Sequence, residues 1–127
     1  MGKVIERVRL SNVIDPTRSE EVDAVIDTGA TLVVMPRDVV DRLGLTRIRD
    51  VQVRYGNGKV ETRSVYSAVT LELKGRSGTF DVLAEDVGSQ PLIGQVVLEV
   101  LDLVVDPRSR RLTPNPASPD APMVEVL

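Results

Sequence analysis

The sequence contains no cysteine and no histidine. Without cysteine the chain has no disulfide and no thiol nucleophile, and without histidine it lacks the usual zinc sites and every histidine-based catalytic triad. Tryptophan is also absent and aromatic residues make up only 2%. The core must therefore be assembled from Val, Leu and Ile, of which the β-branched types favour strands. The composition indicates a mainly β protein whose remaining acid–base groups are carboxylates.

Size and charge narrow the class of protein further. At 127 residues the chain has the length of one domain with a single core. Its 16 basic and 19 acidic residues give a formal net charge of -3, so no basic field attracts a nucleic acid. Residues 1–20 carry scattered charges rather than the apolar run of a signal peptide or a membrane span. We expect a soluble, cytoplasmic protein with neither nucleic acid nor membrane as a partner.

The first part of the chain predicts a hairpin that leads into a loop. Apolar segments at Val4–Leu10 and Val22–Ile26 are separated by turn residues. The second segment runs directly into Asp27-Thr28-Gly29-Ala30, and another short apolar stretch, Thr31–Met35, follows. The tetrapeptide is therefore predicted to lie in a loop between two strands.

A short helix and a long hairpin come next. Pro36 suits the first turn of a helix and Gly44 is placed to end it, with apolar residues at helical spacing between them. Apolar and polar residues then alternate until Gly56-Asn57-Gly58, a strong hairpin signal because these residues tolerate positive φ. On the return strand, Tyr66 is expected on one face, and the opposite face should carry Val65, Ser67, Val69, Leu71 and Leu73.

The remaining sequence predicts five further elements and a tail. In order, the elements are a strand at Phe80–Ala84, a short buried strand at Leu92-Ile93-Gly94, a brief helix around Val97, Leu98 and Leu101, a strand at Leu103–Val105 that closes the barrel, and a return strand at Arg108–Leu112. The arginines at 108, 110 and 111 indicate a solvated turn before this last strand. Thr113–Pro122 holds four of the eight prolines, a composition that keeps the backbone extended and unpaired. We therefore divide the chain into a domain at 1–112 and a proline-rich arm at 113–127. The apolar end of the arm, Met123–Leu127, can dock as an edge strand on a dimer partner or be a frayed terminus.

Asp27-Thr28-Gly29 is a weak signal by itself, because average composition produces any such tripeptide in a chain of this length about a few per cent of the time. Its context is more specific. An apolar strand precedes it, Ala30 and a second apolar run follow it, and Pro91-Leu92-Ile93-Gly94 comes about sixty residues later. A glycine-tipped hairpin lies between the two motifs.

This order of motifs resembles the retropepsin-like aspartic proteases of the single-domain retroviral and bacterial type. The matching segments are Val25–Ala30 with its D-T-G-A motif, the flap-like Tyr55-Gly56-Asn57-Gly58, and Leu92-Ile93-Gly94. The resemblance spans residues 4 to 112. It implies a mainly β fold, with one or two short helices and a closed barrel that is one half of a pepsin-like bilobal enzyme.

The resemblance also implies a chemistry. Two nearby carboxylates share a proton, one acting on water as base and the other as acid. Because this chain has one such motif, a homodimer must bring Asp27 against Asp27 of the partner subunit. The chain would then be an aspartic endopeptidase that hydrolyses an extended polypeptide with activated water and needs no metal or cofactor.

The same resemblance assigns roles to neighbouring residues. The Thr28 hydroxyl would lock the two active-site loops across the dimer interface, and Gly29 would admit the tight backbone path beside Ala30. Leu92-Ile93-Gly94 would pack beneath that loop in a structural role. The hairpin tipped by Gly56-Asn57-Gly58 would be a mobile flap over the cleft, with Tyr55 lining it.

Each motif also has a simpler interpretation. Asp27 can be a loop carboxylate that caps its own backbone, and the hairpin can be a tight turn without a mobile role. Tyr55 can be a half-exposed strand residue, and Asp106-Pro107 is best interpreted as a turn that ends a strand. A second function therefore stays open: a catalytically weak or inactive peptide-binding or scaffold domain with the same fold. A purely structural β domain of a larger assembly is a third.

Overall fold

A computed structural model describes residues 3–126 of the chain. Nine strands and two helices follow one another in these residues: β1 (Ile5–Asn12), β2 (Ser19–Ile26), β3 (Val33–Pro36), α1 (Arg37–Leu43), β4 (Thr46–Arg54), β5 (Val60–Leu73), β6 (Arg76–Glu85), β7 (Leu92–Ile93), α2 (Gln95–Leu101), β8 (Leu103–Asp106) and β9 (Arg111–Pro114). The mainly β fold with two short helices agrees with the composition and the turn signals.

Seven strands form one sheet in the order β1-β2-β7-β3-β6-β5-β4, and an additional pairing of β1 with β5 closes six of them into a ring. The expectation that Leu103–Val105 closes the barrel is wrong. That segment is β8, which pairs with β9 in a separate two-stranded sheet. The 14-residue β5 continues beyond the residues that pair with β4, and this second part pairs with β1. Strand β8 pairs instead with β9, which follows it after a short turn.

Helix α1 begins and ends where the sequence predicts. Pro36 stands at the N-cap with φ −66°, and Gly44 ends the helix in a left-handed conformation with φ 67°. The Gly44 N–H donates to the Asp41 carbonyl, which satisfies one of the free carbonyl groups of the last turn. The buried face of α1, formed by Val39, Val40 and Leu43, packs into the main core.

Two apolar rows run across the sheet on opposite faces. The inner row belongs to the main core and joins Ile26, Ile93, Val33, Val82 and Tyr66 across neighbouring strands. The outer row, named here the aliphatic row, joins Leu92, Val34, Leu83 and Val65 in the same way. Both faces of β3 are therefore buried, which explains why Val33 and Val34 are both apolar.

The face assignment along β5 is wrong at its first half. Val65 lies in the aliphatic row, whereas Tyr66 is buried in the main core together with Val69 and Leu71. The cause is a register shift between Tyr66 and Val69 in the pairing with β6. Such a bulge adds a residue and exchanges the two faces of the strand, and period-two alternation does not reveal it.

A buried carboxylate attaches the β8–β9 hairpin to the ring. Glu6 on β1 accepts two hydrogen bonds from the Arg111 guanidinium, at 3.0 and 2.9 Å, and a third from the Leu112 N–H at 2.8 Å. The Lys74 ammonium lies 3.1 Å from the same carboxylate. We name this group the Glu6 cluster. The expected solvated turn is thus correct for Arg108 and Arg110 but wrong for Arg111, which belongs to β9.

The segment after β9 lies against the end of α2. Thr113 and Pro114 pair with β8, so the expectation of unpaired backbone is wrong for these two residues. Beyond them, the buried Arg76 donates to the Ser118 carbonyl at 2.5 Å and to the carbonyl of Asp102 at 2.9 Å. The Asp102 carboxylate accepts from the Ser118 hydroxyl and, at 3.1 Å, from the Met123 N–H. These contacts attach the tail to its own domain.

Candidate active site

The loop after β2 is held by its backbone. The Asp27 N–H donates to the Ile93 carbonyl at 2.9 Å, and the Ala30 N–H donates to the Asp27 carbonyl at 3.1 Å. Asp27 follows a strand that pairs in parallel with β7, and β7 pairs on its other side with β3, the strand after the loop. Both ends of the loop are therefore fixed by the same two-residue strand.

Helix α2 supports the loop from beneath. The Gln95 N–H donates to the Ala30 carbonyl at 2.8 Å and the Val96 N–H to the Thr31 carbonyl at 3.1 Å. This approach requires a glycine at the start of the helix, because a Cβ on Gly94 would lie 2.5 Å from the Leu32 carbonyl oxygen. Of the predicted support segment, Ile93 and Gly94 lie under the loop. Leu92 lies in the aliphatic row.

The side chain of Asp27 is half-buried, and Thr28 and Gly29 are exposed. Oδ1 of Asp27 accepts a hydrogen bond from the Gly29 N–H at 2.9 Å. The backbone-capping contact of the simpler interpretation is therefore present, and it occupies one carboxylate oxygen. The strand alternation puts Asp27 on the same side of the sheet as Val25, whose pairing partner Leu92 starts the aliphatic row.

The predicted flap is a tight hairpin at the end of β4 and β5. The Tyr55 N–H donates to the Lys59 carbonyl and the Gly58 N–H to the Tyr55 carbonyl, each at 2.9 Å. Gly58 adopts φ 86°, which a side chain would disfavour. A Cβ on Gly56 or Gly58 would meet no atom within 4 Å, so the tip projects away from the rest of the chain. Asn57 closes the turn by accepting from the Lys59 N–H at 3.0 Å.

Tyr55 lies outside β4, as the half-buried first residue of the turn. Its hydroxyl donates to Glu85 Oε2 at 2.5 Å and accepts from Arg63 Nε at 3.0 Å. Arg63 Nε also lies 2.9 Å from Glu85 Oε1. Burial raises the pKa of Tyr55, and the neighbouring Glu85 raises it further against the opposing effect of Arg63. The phenol therefore stays protonated and acts as the donor to Glu85.

The aliphatic row is the part of the site that sequence reasoning missed. Its members come from four strands, and the flap residues Val51 and Val53 pack on it together with Leu32. The row therefore lies between the flap hairpin and the strands that flank the Asp27 loop. The available signal was the unbroken apolar run of β3, which is typical of a strand covered on both faces. Arg63 and Glu85 belong to no recognisable sequence motif, so the sequence did not indicate them.

A family model for aspartyl proteases matches residues 14–97 of the chain. This span is well over half of the sequence and includes the Asp27 loop, the flap hairpin and Leu92-Ile93-Gly94. The chain therefore belongs to the aspartyl protease family, and it is an aspartic-type peptidase by class. The resemblance drawn from its motifs is confirmed.

Among solved structures, the chain is similar to the EIAV protease complexed with the inhibitor HBY-793. The two share 24% sequence identity with a TM-score of 0.55, and the match covers 76% of this chain and 86% of the EIAV chain. This likeness shows the fold, which is the retroviral aspartic protease fold. No curated protein matches the sequence.

Two further features concern residues 3–126. No helix in this range has the length and apolar character needed to cross a bilayer. Nor do its acidic side chains gather into a group of three or more with the geometry of a metal site.

Proposed function

We propose that the chain is a homodimeric aspartic endopeptidase. Asp27 of one protomer and Asp27 of the partner subunit would share a proton at the two-fold axis, because two carboxylates a few ångströms apart cannot both ionise freely. One carboxylate would take a proton from water while the other donates a proton to the scissile carbonyl. The water then attacks the carbonyl directly, without a covalent enzyme intermediate.

The observation that carries this proposal is the placement of Asp27. The residue is half-buried, comes two positions after Val25, whose pairing partner Leu92 starts the aliphatic row, and lies in a loop with hydrogen bonds to both β7 and α2. A carboxylate used only to cap a turn would not need support from two elements beneath it. A family that works with paired aspartates, and a chain with one such loop, together favour a dimer.

Thr28 and its surroundings support the same dimer. Its side chain is exposed, and its hydroxyl has no hydrogen-bond partner in the described part of the chain. Thr28 lines one side of a groove whose other lining residues come from α2, β8 and the residue between them, some apolar and some polar: Gln95, Leu98, Glu99, Asp102, Leu103, Val104 and Val105. In the proposed dimer the Thr28 hydroxyl would bond across the axis, and this groove would adjoin the second protomer.

The substrate class is an extended polypeptide. A segment of substrate would lie between the flap tip and the Asp27 loop, with its backbone hydrogen-bonded to strand-like groups on both sides. Leu32 and Leu92 are only partly buried and would border that space, whereas Val34, Val65 and Leu83 are buried beneath them. We expect apolar side chains of the substrate to contact Leu32 and Leu92. Gly56, Asn57 and Gly58 would close over the peptide and exclude water.

The test is cleavage of a mixed peptide library between acidic and neutral pH. Wild type is compared with Asp27→Asn, which keeps the size of the side chain and removes its acid–base function. The matched control is Asp120→Asn, the same change in the exposed tail. We expect the Asp27 variant to lose at least about a thousandfold in kcat/KM and the control to keep full activity. A pepstatin-like inhibitor should block the wild-type enzyme.

Other outcomes would overturn the proposal. Equal cleavage by wild type and Asp27→Asn would remove Asp27 as the catalytic residue. Absence of cleavage by wild type, in a sample shown by sedimentation to be dimeric, would favour the peptide-binding or scaffold function. Activity per chain should fall on dilution, because monomers hold half a site. The cytoplasmic location and the boundary at residue 112 stay predictions, tested by cell fractionation and by truncation respectively.

A further inference from the structure

Three side chains form a closed hydrogen-bonded group near the tip of the flap hairpin. The Tyr55 hydroxyl donates to Glu85 at 2.5 Å, and Arg63 Nε donates both to that hydroxyl, at 3.0 Å, and to Glu85, at 2.9 Å. The Arg63 side chain is 22% exposed and the Glu85 side chain 14%. Each member thus contacts the other two, away from most of the solvent.

These residues come from different parts of the site. Tyr55 opens the flap turn, Arg63 lies near the start of β5, and Glu85 is the last residue of β6 in the ring. Within residues 3–126, strand β4 pairs with β5 alone, so in this part of the chain the hairpin is joined to the ring by backbone only through β5. Glu85 is therefore a side-chain connection between the free end of the hairpin and the wall of the cleft.

We propose that Tyr55, Arg63 and Glu85 form a latch that sets the position of the flap above the cleft, with Tyr55 as the positioning residue. The effect on catalysis rests on the proposed function, whereas the latch itself is a property of the chain alone. The phenol is held by one carboxylate and one guanidinium, so it has a defined direction that a phenylalanine ring would lack. Both hydrogen bonds of the phenol have a charged partner, and such hydrogen bonds are stronger than those between neutral groups.

Arg63 has competing partners, which makes the latch able to open. Its Nη2 contacts Glu61 at 2.6 Å on the same strand and lies 3.7 Å from Asp86, whose side chain is exposed. When the phenol leaves, Arg63 keeps carboxylate partners and is not stranded as an unpaired charge. The flap can therefore release Tyr55 without unfolding the ring, as a closing hairpin requires.

The test is hydrogen exchange of the flap amides in Tyr55→Phe, which removes the hydroxyl and keeps the ring. We expect exchange at residues 55–60 to become about tenfold faster, the size of change expected when a hydrogen bond to a charged partner is lost. Exchange in the inner-row strands should stay unchanged. For peptide cleavage, KM should rise about fivefold and kcat should change less than about twofold, because the loss affects binding by the flap.

Tyr66→Phe is the matched control, since Tyr66 also lies on β5 but is buried in the main core, with Arg37 over its ring. Its flap exchange and KM should equal those of wild type. Glu85→Gln tests whether the group acts as a unit. It should speed flap exchange alone but add little in the Tyr55→Phe background, as coupled partners do.

Three results would overturn the latch. They are unchanged flap exchange in Tyr55→Phe, equal acceleration in Tyr66→Phe, and fully multiplicative effects of the two latch substitutions. Hydrogen exchange needs no substrate, so an inactive wild-type protein with faster flap exchange in Tyr55→Phe would support the latch and reject only the proposed endopeptidase. An active wild-type protein whose flap exchange is unchanged in Tyr55→Phe would reject the latch and support the proposed endopeptidase.

Discussion

Two charged groups in this fold are built in opposite ways. The Glu6 cluster has one carboxylate with two cations, Arg111 and Lys74, around it. The group at the flap has one cation, Arg63, with carboxylates around it, of which Glu85 lies at 2.9 Å and Glu61 at 2.6 Å. The first joins β1 to the β8–β9 hairpin, 105 residues away along the chain, and the second joins the flap turn to β5 and β6.

Burial decides how each group behaves. The Glu6 side chain is 2% exposed and holds the β8–β9 hairpin on the ring, so opening it means separating elements of the fold. Arg63 is more exposed and has alternative partners, so its contacts can exchange while the ring stays closed. We therefore expect the Glu6 cluster to contribute to the global stability of the fold, and the contacts of Arg63 to control local motion of the flap.

The largest expected effect follows from Glu6→Gln. The amide removes the buried charge, while Arg111 stays exposed and Lys74 partly exposed. We expect the free energy of unfolding to fall by about 2 kcal/mol, because the hydrogen bonds to a charged carboxylate are weakened or lost. Urea unfolding measures this. The matched control is Glu72→Gln, which breaks the exposed pair with Arg9 and should change stability by less than about 0.5 kcal/mol. Equal losses in the two variants would contradict the comparison.

The second prediction concerns acid. Burial alone would raise the pKa of Glu6, but hydrogen bonds from Arg111, the Leu112 N–H and Lys74 outweigh it and lower the pKa from 4.5 to about 2. A lowered pKa contributes stability that is fully present above pH 4.5 and is lost as the pH falls through about 2. The difference in unfolding free energy between wild type and Glu6→Gln should therefore be constant near neutral pH and shrink below pH 4.5. A difference that does not change with pH would be inconsistent with this assignment.

The smallest effect on global stability is expected at the flap. Arg63→Gln removes the cation that joins Tyr55 and Glu85, so flap amides should exchange faster while the urea midpoint moves less than half as far as in Glu6→Gln. The control Asp86→Asn removes an exposed carboxylate 3.7 Å from Arg63 and should leave both measurements unchanged. A midpoint shift in Arg63→Gln as large as that of Glu6→Gln would remove the distinction between the two groups.

The sequence was sufficient to predict the elements that local signals define. Pro36 and Gly44 mark the ends of α1, and Gly56-Asn57-Gly58 marks the hairpin, because each needs a particular backbone conformation at a particular residue. The position of Asp27 after a strand was also predictable, since an apolar run leads directly into it. These features depend on residues that are close together in the chain.

The features that could not be predicted depend on distant pairings. Nothing in the sequence links Glu6 to Arg111, and β5 closes the ring through a pairing that alternation does not specify. The strand at Leu103–Val105 and the return strand after it were recognised, but their separation from the barrel was not, because strand order is a property of the whole sheet. The latch was missed for the same reason, as Tyr55 and Glu85 are 30 residues apart.

The bulge in β5 determines which side chains of that strand face the aliphatic row. On one side of the irregularity Val65 points to the aliphatic row, and on the other Val69 and Leu71 point to the interior. Deleting a single residue at Ser67 or Ala68 would restore simple alternation and turn Val65 inward and the Tyr66 phenol outward. The composition of the aliphatic row thus depends on one extra residue in β5, so insertions and deletions there would change the sheet face under the flap hairpin before they change the Asp27 loop.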